Sequence, residues 1–217
     1  MLPPSLQAEA GTRLILIRHG QIKANISKLW YGSTDGALTE MGIEQAEKLG
    51  QHLLDTTYKN HEQSHRPVIY SSPLKRAHRT AEIVSSYLAA PIQIEAGLAE
   101  YSLGALEGVS FEKLSADYRV FEKMHADIHY APPGGESIFQ VTHRMFYALQ
   151  QIISTHPGKK VMIVSHGALM ALTFAILFHQ TPYEWGQYKF HNTSVSEILF
   201  TPHPELVRFN EIDHLAL

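Results

Sequence analysis

Two short segments of this chain hold the residues best suited to chemistry, Arg18-His19-Gly20 and Ser165-His166-Gly167. Each sets an imidazole straight after an apolar run and straight before a glycine, whose backbone turns without hindrance into the next element. A third segment, Ser71-Ser72-Pro73-Leu74-Lys75-Arg76, adds a second guanidinium in the first turn of an expected helix. Two imidazoles and two guanidiniums gathered in one crevice suit phosphoryl transfer. The transferring group spreads its charge over three equatorial oxygens, so catalysis is mostly positioning and cationic stabilisation. Arginine's planar fork meets such oxygens through paired hydrogen bonds and does not lose its charge. A neutral imidazole is a competent nucleophile near neutral pH, which lysine, or serine without a base, is not. The leaving alkoxide needs a proton. Glu100, within Leu98-Ala99-Glu100-Tyr101-Ser102-Leu103-Gly104, is the best candidate to give it.

The elements that must position these groups alternate between β and α patterns. Leu14–Ile17 and Val161–Val164 are fully apolar runs, typical of strands in the middle of a parallel sheet. Val68–Tyr70 and Ile92–Ile94 add two short strands, and Ser194–Phe200 with Leu206–Ile212 suggest two closing ones. Helices are expected from Thr39 as N-cap, with Ile43, Ala46, Leu49 and Leu53 on one face, and from Pro73, with Leu74, Ala77, Ala81, Val84 and Leu88. Another carries Ile138, Val141, Met145, Leu149 and Ile152 and stops near Gly158; a last, apolar one starts at Gly167. Residues 56–67 are polar without apolar period and read as an exposed connection. The pattern predicts an α/β fold, a three-layer α/β/α sandwich with a mostly parallel central sheet and helices on both faces. In such a sheet, ligands bind beyond the carboxyl ends of the strands, where both histidines fall.

Bulk composition narrows the options. A length of 217 residues with 44% hydrophobic content fits a single domain over 1–217. Residues 1–12 are expected as a flexible tail and 109–133 as a lid-like insertion over the site. The net charge of −3 argues against a nucleic-acid or membrane-surface partner, while a small phosphorylated substrate needs just two or three local cations. The absence of cysteine removes disulfides, thiolate metal sites and cysteine nucleophiles. Met1–Ala10 lacks the basic start and apolar run of a secretory signal. The apolar stretch Ala168–Phe178 is far short of the ~20 residues of a membrane span. A cytoplasmic protein is the expectation; the oligomeric state, a homodimer included, stays open.

These motifs resemble the histidine phosphatase superfamily, the group that includes cofactor-dependent phosphoglycerate mutase. Arg18-His19-Gly20 matches its defining tripeptide, followed by Asn25 and by Asp35, Leu38, Thr39, Gly42 and Gln45. Ser72–Ala77 with Thr80-Ala81, then Glu100 with Gly104, Glu107 and Gly108, then Gly134–Ser137 and Val164–Gly167 complete the series in order. The resemblance implies a phosphoglycerate mutase-like fold and a metal-independent cycle without a cofactor. His19 would be phosphorylated, Arg18, Arg76 and His166 would hold the phosphoryl oxygens, and Glu100 would protonate the leaving group. Asn25, Gly20, Gln21 and Gly167 would line the substrate site. One departure stands out: Ile22 occupies a place where the family usually has a hydroxyl that touches the phosphoryl group. A hydrogen bond to a charged group contributes roughly 1.5–3 kcal/mol, so its loss is expected to slow turnover about ten- to a hundredfold.

Three other activities compete with hydrolysis. A mutase must retain the phosphohistidine and hold a second anionic group. Residues 109–133 balance Lys113, Arg119 and Lys123 against Glu112, Asp117, Glu122 and Asp127, a poor clamp for a bisphosphate. The aromatics Phe111, Tyr118, Phe121 and Tyr130 point instead to a partly apolar substrate edge. A phosphate-binding protein that has lost catalysis is favoured by Ile22 alone. A metalloenzyme would use His125 and His129 at helical spacing, yet no third ligand or HExxH pattern accompanies them. Hydrolysis is the expected activity.

Overall fold

Leu14–Ile17 is buried on both sides, as a central strand must be, and forms the middle of β1 (Arg13–Arg18). The computed structural model describes residues 6, 8, 11–58, 67–201 and 203–216. After β1 come α1 (Lys23–Ile26), α2 (Glu40–Leu53), β2 (Val68–Ser71), α3 (Lys75–Leu88) and β3 (Ile92–Ile94). Then follow α4 (Phe111–Ala116), α5 (Val120–Ala126), α6 (Ile138–Thr155), β4 (Lys160–Ser165), α7 (Gly167–His179), β5 (Val195–Phe200) and β6 (Pro204–Glu211).

The six strands lie in the order β3-β2-β4-β1-β5-β6. β1–β4, β2–β4 and β2–β3 pair in parallel, while β5 and β6 are antiparallel. The stretch from Phe200 to Pro204 is too short for a crossover, so this closing pair can only be a hairpin. Successive side chains of a strand point to opposite faces. Leu14, Leu16, Val161 and Ile163 therefore join the core under α6 and α7, with Val141, Met145, Leu149, Leu172 and Phe174. Ile15, Ile17, Met162 and Val164 join the other core with Leu49 and Leu53 of α2 and Ala77, Ala81, Val84 and Leu88 of α3. This is the expected three-layer α/β/α arrangement. α7 is apolar around its whole circumference because the core and the segment after it cover it on all sides; no helix among the described residues is long and apolar enough to cross a membrane.

Some helix starts follow local chemistry, and others do not. Thr39 caps α2 by accepting from Gly42 N–H at 3.0 Å, and Ser137 and Gln140 form a reciprocal capping box on α6. α3 begins at Lys75 rather than at Pro73. Its first amide donates to the carboxylate of Asp35, 3.0 and 3.1 Å away, so the cap comes from a distant loop.

Much of the expected tail, residues 1–5, 7, 9 and 10, lies outside the described residues, as do 59–66 of the expected exposed connection. Two residues of the tail that are described are held. Leu6 is buried in the core, and Gly11 N–H donates to Phe200 O at 2.8 Å. Residues 109–133 form the two short helices α4 and α5, which sink Leu114, Val120 and Met124 into the core.

Candidate active site

The parallel register pairs Arg18 of β1 with Ser165 of β4, so the two histidines leave the sheet at the same level. Their ring centroids are 5.2 Å apart, and both side chains are buried. β2 lies on the other side of β4 and delivers Ser72, whose hydroxyl is 2.7 Å from His166 Nε2.

Their hydrogen bonds assign the tautomers. His19 Nδ1 sits 2.7 Å from Gly20 O, and a carbonyl can only accept, so Nδ1 carries the proton. Nε2 of the neutral ring then has a free lone pair. His166 is the reverse. Its Nδ1 accepts from Arg76 Nε at 3.2 Å, which leaves Nε2–H to donate to Ser72 Oγ. Burial, and then the charges of Arg18 and Arg76, push the pKa of His19 well below the usual imidazole range. Burial and the Arg76 charge do the same for His166, helped by His19 and Arg18. Both rings stay neutral where an unperturbed histidine begins to protonate.

The two arginines differ in what they offer. Arg76 is fully buried, and it donates to His166 Nδ1, to Thr34 O at 2.9 Å, to Tyr31 O at 3.0 Å and to Gly32 O at 2.8 Å. The structure thus brings Arg76 and His166 to the site as expected, but turns most of their donors toward protein acceptors. Arg18 donates to Phe190 O at 2.6 Å, while its buried Nε has no partner. A side chain at Gly167 would start 3.4 Å from that Nε, so glycine keeps the approach to the guanidinium open. Burial lowers the pKa of both guanidiniums and the Glu100 charge opposes it, with both remaining cationic. A buried guanidinium N–H without a partner, with the Arg76 charge coupled to it, is suited to meet an anion.

Glu100 accepts three backbone amides. Oε1 takes Tyr101 N–H and Leu169 N–H, both at 2.8 Å, and Oε2 takes Ala168 N–H at 3.0 Å. The carboxyl therefore caps the first turn of α7, immediately after His166. One lone pair of Oε2 is left for a proton or a substrate.

Asn25 Oδ1 accepts from Ile22 N–H at 3.0 Å and from Asn192 Nδ2 at 3.1 Å, which leaves its own amide N–H groups as the free donors. Ile22 is buried, and its N–H is taken by Asn25, so Ile22 offers the site neither a hydroxyl nor an amide. Gln21 is held by its backbone, with its N–H on Gln45 Oε1 at 3.0 Å, and its Oε1 accepts from Thr39. Gly20 N–H donates to Thr80 Oγ1 at 3.0 Å. A Cβ on Gly20 would fall 2.4 Å from Gly42 O, which forces glycine where the loop after β1 crosses α2.

Sequence reading did not single out Asn192 or Thr193, and it quoted Glu107 as a motif residue without a role; all three build this geometry. Asn192 donates to His19 O at 2.9 Å as well as to Asn25. Thr193, with φ of 57°, donates its N–H to Arg18 O at 2.9 Å, and its hydroxyl meets His214 Nε2. Glu107 gathers the N–H groups of Ser33 and Thr34, beside the carbonyls that hold Arg76. Burial alone would raise the pKa of Glu107, but the hydrogen bonds from Thr34 and Ser33 lower it overall. The Asn192-Thr193 pair just before β5 offered no signal beyond ordinary turn composition.

The histidines proposed for a metal do not share a helix face. His125 closes α5 against the Tyr183 ring, and His129 lies beyond the helix against Phe139. Among the described residues, no group of three or more His, Asp or Glu is placed to hold a metal ion.

Known proteins agree with this architecture. The model of the histidine phosphatase superfamily, branch 1, matches residues 14–212, and the chain belongs to that family. It is a phosphatase. The phosphatase PhoE of Bacillus subtilis is 34% identical over 157 residues, 72% of each chain. A metal-independent phosphoserine phosphatase of Arabidopsis thaliana is 33% identical over 165 residues, 73% of this chain and 66% of that one. The crystal structure of a phosphoserine phosphatase from Entamoeba histolytica, in complex with 3-phosphoglyceric acid, superposes with a TM-score of 0.80 at 30% identity. It covers 94% of this chain and 99% of that one.

Proposed function

We propose that the protein is a metal-independent phosphomonoester hydrolase that works through a phosphohistidine on His19. The observation that carries this reading is the bond from Nδ1–H to Gly20 O, which leaves an unprotonated Nε2 beside the unpartnered Nε of Arg18. Nε2 attacks phosphorus as the ester P–O bond breaks. Glu100 gives its proton to the departing oxygen from the free position on Oε2, which keeps the leaving group neutral. Water then attacks the phosphohistidine, Glu100 takes the water proton, and the P–N bond electrons return to the imidazole. Arg18 and the free amide of Asn25 steady the phosphoryl oxygens. Arg76 joins them by exchanging carbonyls of the Tyr31–Thr34 loop for phosphoryl oxygens, and His166 positions Arg76 through Nδ1.

Residues 109–133 serve as the lid of this single domain. Phe111 and Phe121 stack at 4.7 Å and lean on Trp30, which directly precedes the carbonyls that hold Arg76. Small phosphorylated metabolites are the substrates, and phosphoserine and phosphoglycerate are the first to try. The test is p-nitrophenyl phosphate hydrolysis with and without EDTA, beside His19→Ala. Turnover that survives EDTA and disappears in His19→Ala is expected. Loss of activity with the chelator, or parent-level turnover in His19→Ala, would overturn the reading.

A further inference from the structure

Ala99–Leu103, the stretch that carries Glu100, belongs to no helix or strand, so regular secondary structure does not fix the direction of this carboxyl. Three backbone amides receive the carboxyl, and one side chain from α6 holds the main chain that carries it. Arg144 Nη1 donates to Gly97 O at 2.9 Å and to Ala99 O at 2.8 Å, and Nη2 donates to Glu100 O at 3.0 Å. The rest of the guanidinium pairs with Glu136, Nε to Oε1 at 2.6 Å and Nη2 to Oε2 at 2.8 Å. All five N–H donors of the arginine are thereby used, three of the bonds on carbonyls around the acid. Glu136 completes the clamp from the other side. It accepts Ser102 N–H at 3.1 Å, and its own N–H donates to Ser102 O at 2.9 Å. Gly97 lets the segment lie directly on α6, since a Cβ there would sit 2.5 Å from Ala148 Cβ and 2.8 Å from Arg144 O.

We infer that Arg144, buttressed by Glu136, is a positioning residue for the proton donor. It sets the backbone of residues 97–102 so that the Glu100 carboxyl reaches both the first turn of α7 and the leaving oxygen. The inference rests on the reading of Glu100 as the acid. Lysine cannot replace this arginine, because a point charge on a flexible stem cannot serve three separate carbonyls and a carboxylate at once.

The experiment compares p-nitrophenyl phosphate, a good leaving group, with β-glycerophosphate, an alkyl ester whose leaving oxygen needs the proton. It uses the parent, Glu100→Gln, Arg144→Lys and Glu136→Gln, each checked for a cooperative thermal transition. Misplacing a general acid is expected to cost about tenfold or more in kcat/KM on β-glycerophosphate and less than about threefold on p-nitrophenyl phosphate. Glu100→Gln should show the same selectivity, and Arg144→Lys in the Glu100→Gln background should add no further selective loss. Glu136→Gln leaves the arginine in place and carries the test if Arg144→Lys does not fold. Selective loss in Glu100→Gln, with equal losses or none in the Arg144 and Glu136 variants, would overturn the positioning role and leave the acid intact. Equal losses in Glu100→Gln itself would instead remove Glu100 as the acid.

Discussion

His19 and His166 are the same residue type at equivalent strand ends, yet their first hydrogen bonds give them opposite tautomers. A carbonyl acceptor on Nδ1 leaves Nε2 unprotonated in one, and a guanidinium donor on Nδ1 commits the other to holding Arg76. The grouping at this scale was largely legible from residue type and spacing: Arg18, His19, Arg76, Glu100 and His166 lie together. What escaped was support through main-chain atoms. Asn192 reaches the His19 carbonyl across 173 residues, and Arg144 reaches the Glu100 carbonyl across 44, and no local pattern announces such a contact. Ile22 shows the converse. Its departure from the family was visible, but its burial was not. Ile22→Thr is expected to raise kcat/KM on p-nitrophenyl phosphate by up to about tenfold, as a hydroxyl gains a charged partner. It should also lower stability by about 1–2 kcal/mol, because a buried apolar side chain is trimmed and a polar group replaces it. Enzyme assays with thermal melts check both; an unchanged or lower rate would show that another group already fills that place.

At the scale of elements, the strand–helix alternation foretold the fold because β1 and β4 are apolar on both faces and therefore need a helix layer on each side. Helix starts were legible where the cap is local, as at Thr39, and not at α3, whose cap is Asp35 forty residues earlier. The contact that matters most for the placement of His19 is between the loop after β1 and the first turn of α2. A Cβ on Gly42 would fall 2.2 Å from Gln21 O, a distance no relaxed side chain shows. Gly42→Ala is therefore expected to cost about 1–3 kcal/mol of stability and to reduce turnover, because relief of the clash moves the backbone that carries His19. Gly186→Ala meets nothing within 4 Å and should change stability by no more than about 0.5 kcal/mol. Equal effects of the two substitutions in denaturant titrations would contradict this account of the packing.

The whole molecule brings two arginines and two histidines to one site despite a net charge of −3, and the buried histidines make its stability depend on pH. His19 and His166 have pKa values well below their ordinary 6.5, and burial, with the His52 charge, lowers His214 to about 4. The unfolded chain binds these protons near pH 6.5 and the folded chain does not. Between 6.5 and the lower folded values, stability therefore rises with pH, and it is lost as the pH falls. Each such group contributes a slope of at most about 1.4 kcal/mol per pH unit. Thermal melts are expected to show a clear drop from pH 7 to pH 5, a range above most carboxylate titration; an unchanged midpoint would contradict the buried neutral state of these rings. The central claim is covalent, and rapid acid-free quenching during turnover tests it most directly. The parent, mixed with p-nitrophenyl phosphate in the presence of EDTA, is digested under alkaline conditions and analysed by mass spectrometry. The account predicts one phosphoryl group on the peptide that contains His19, stable to base, lost in acid and absent from His19→Ala. Turnover with no phosphate on that peptide, or with phosphate on another residue, would contradict it.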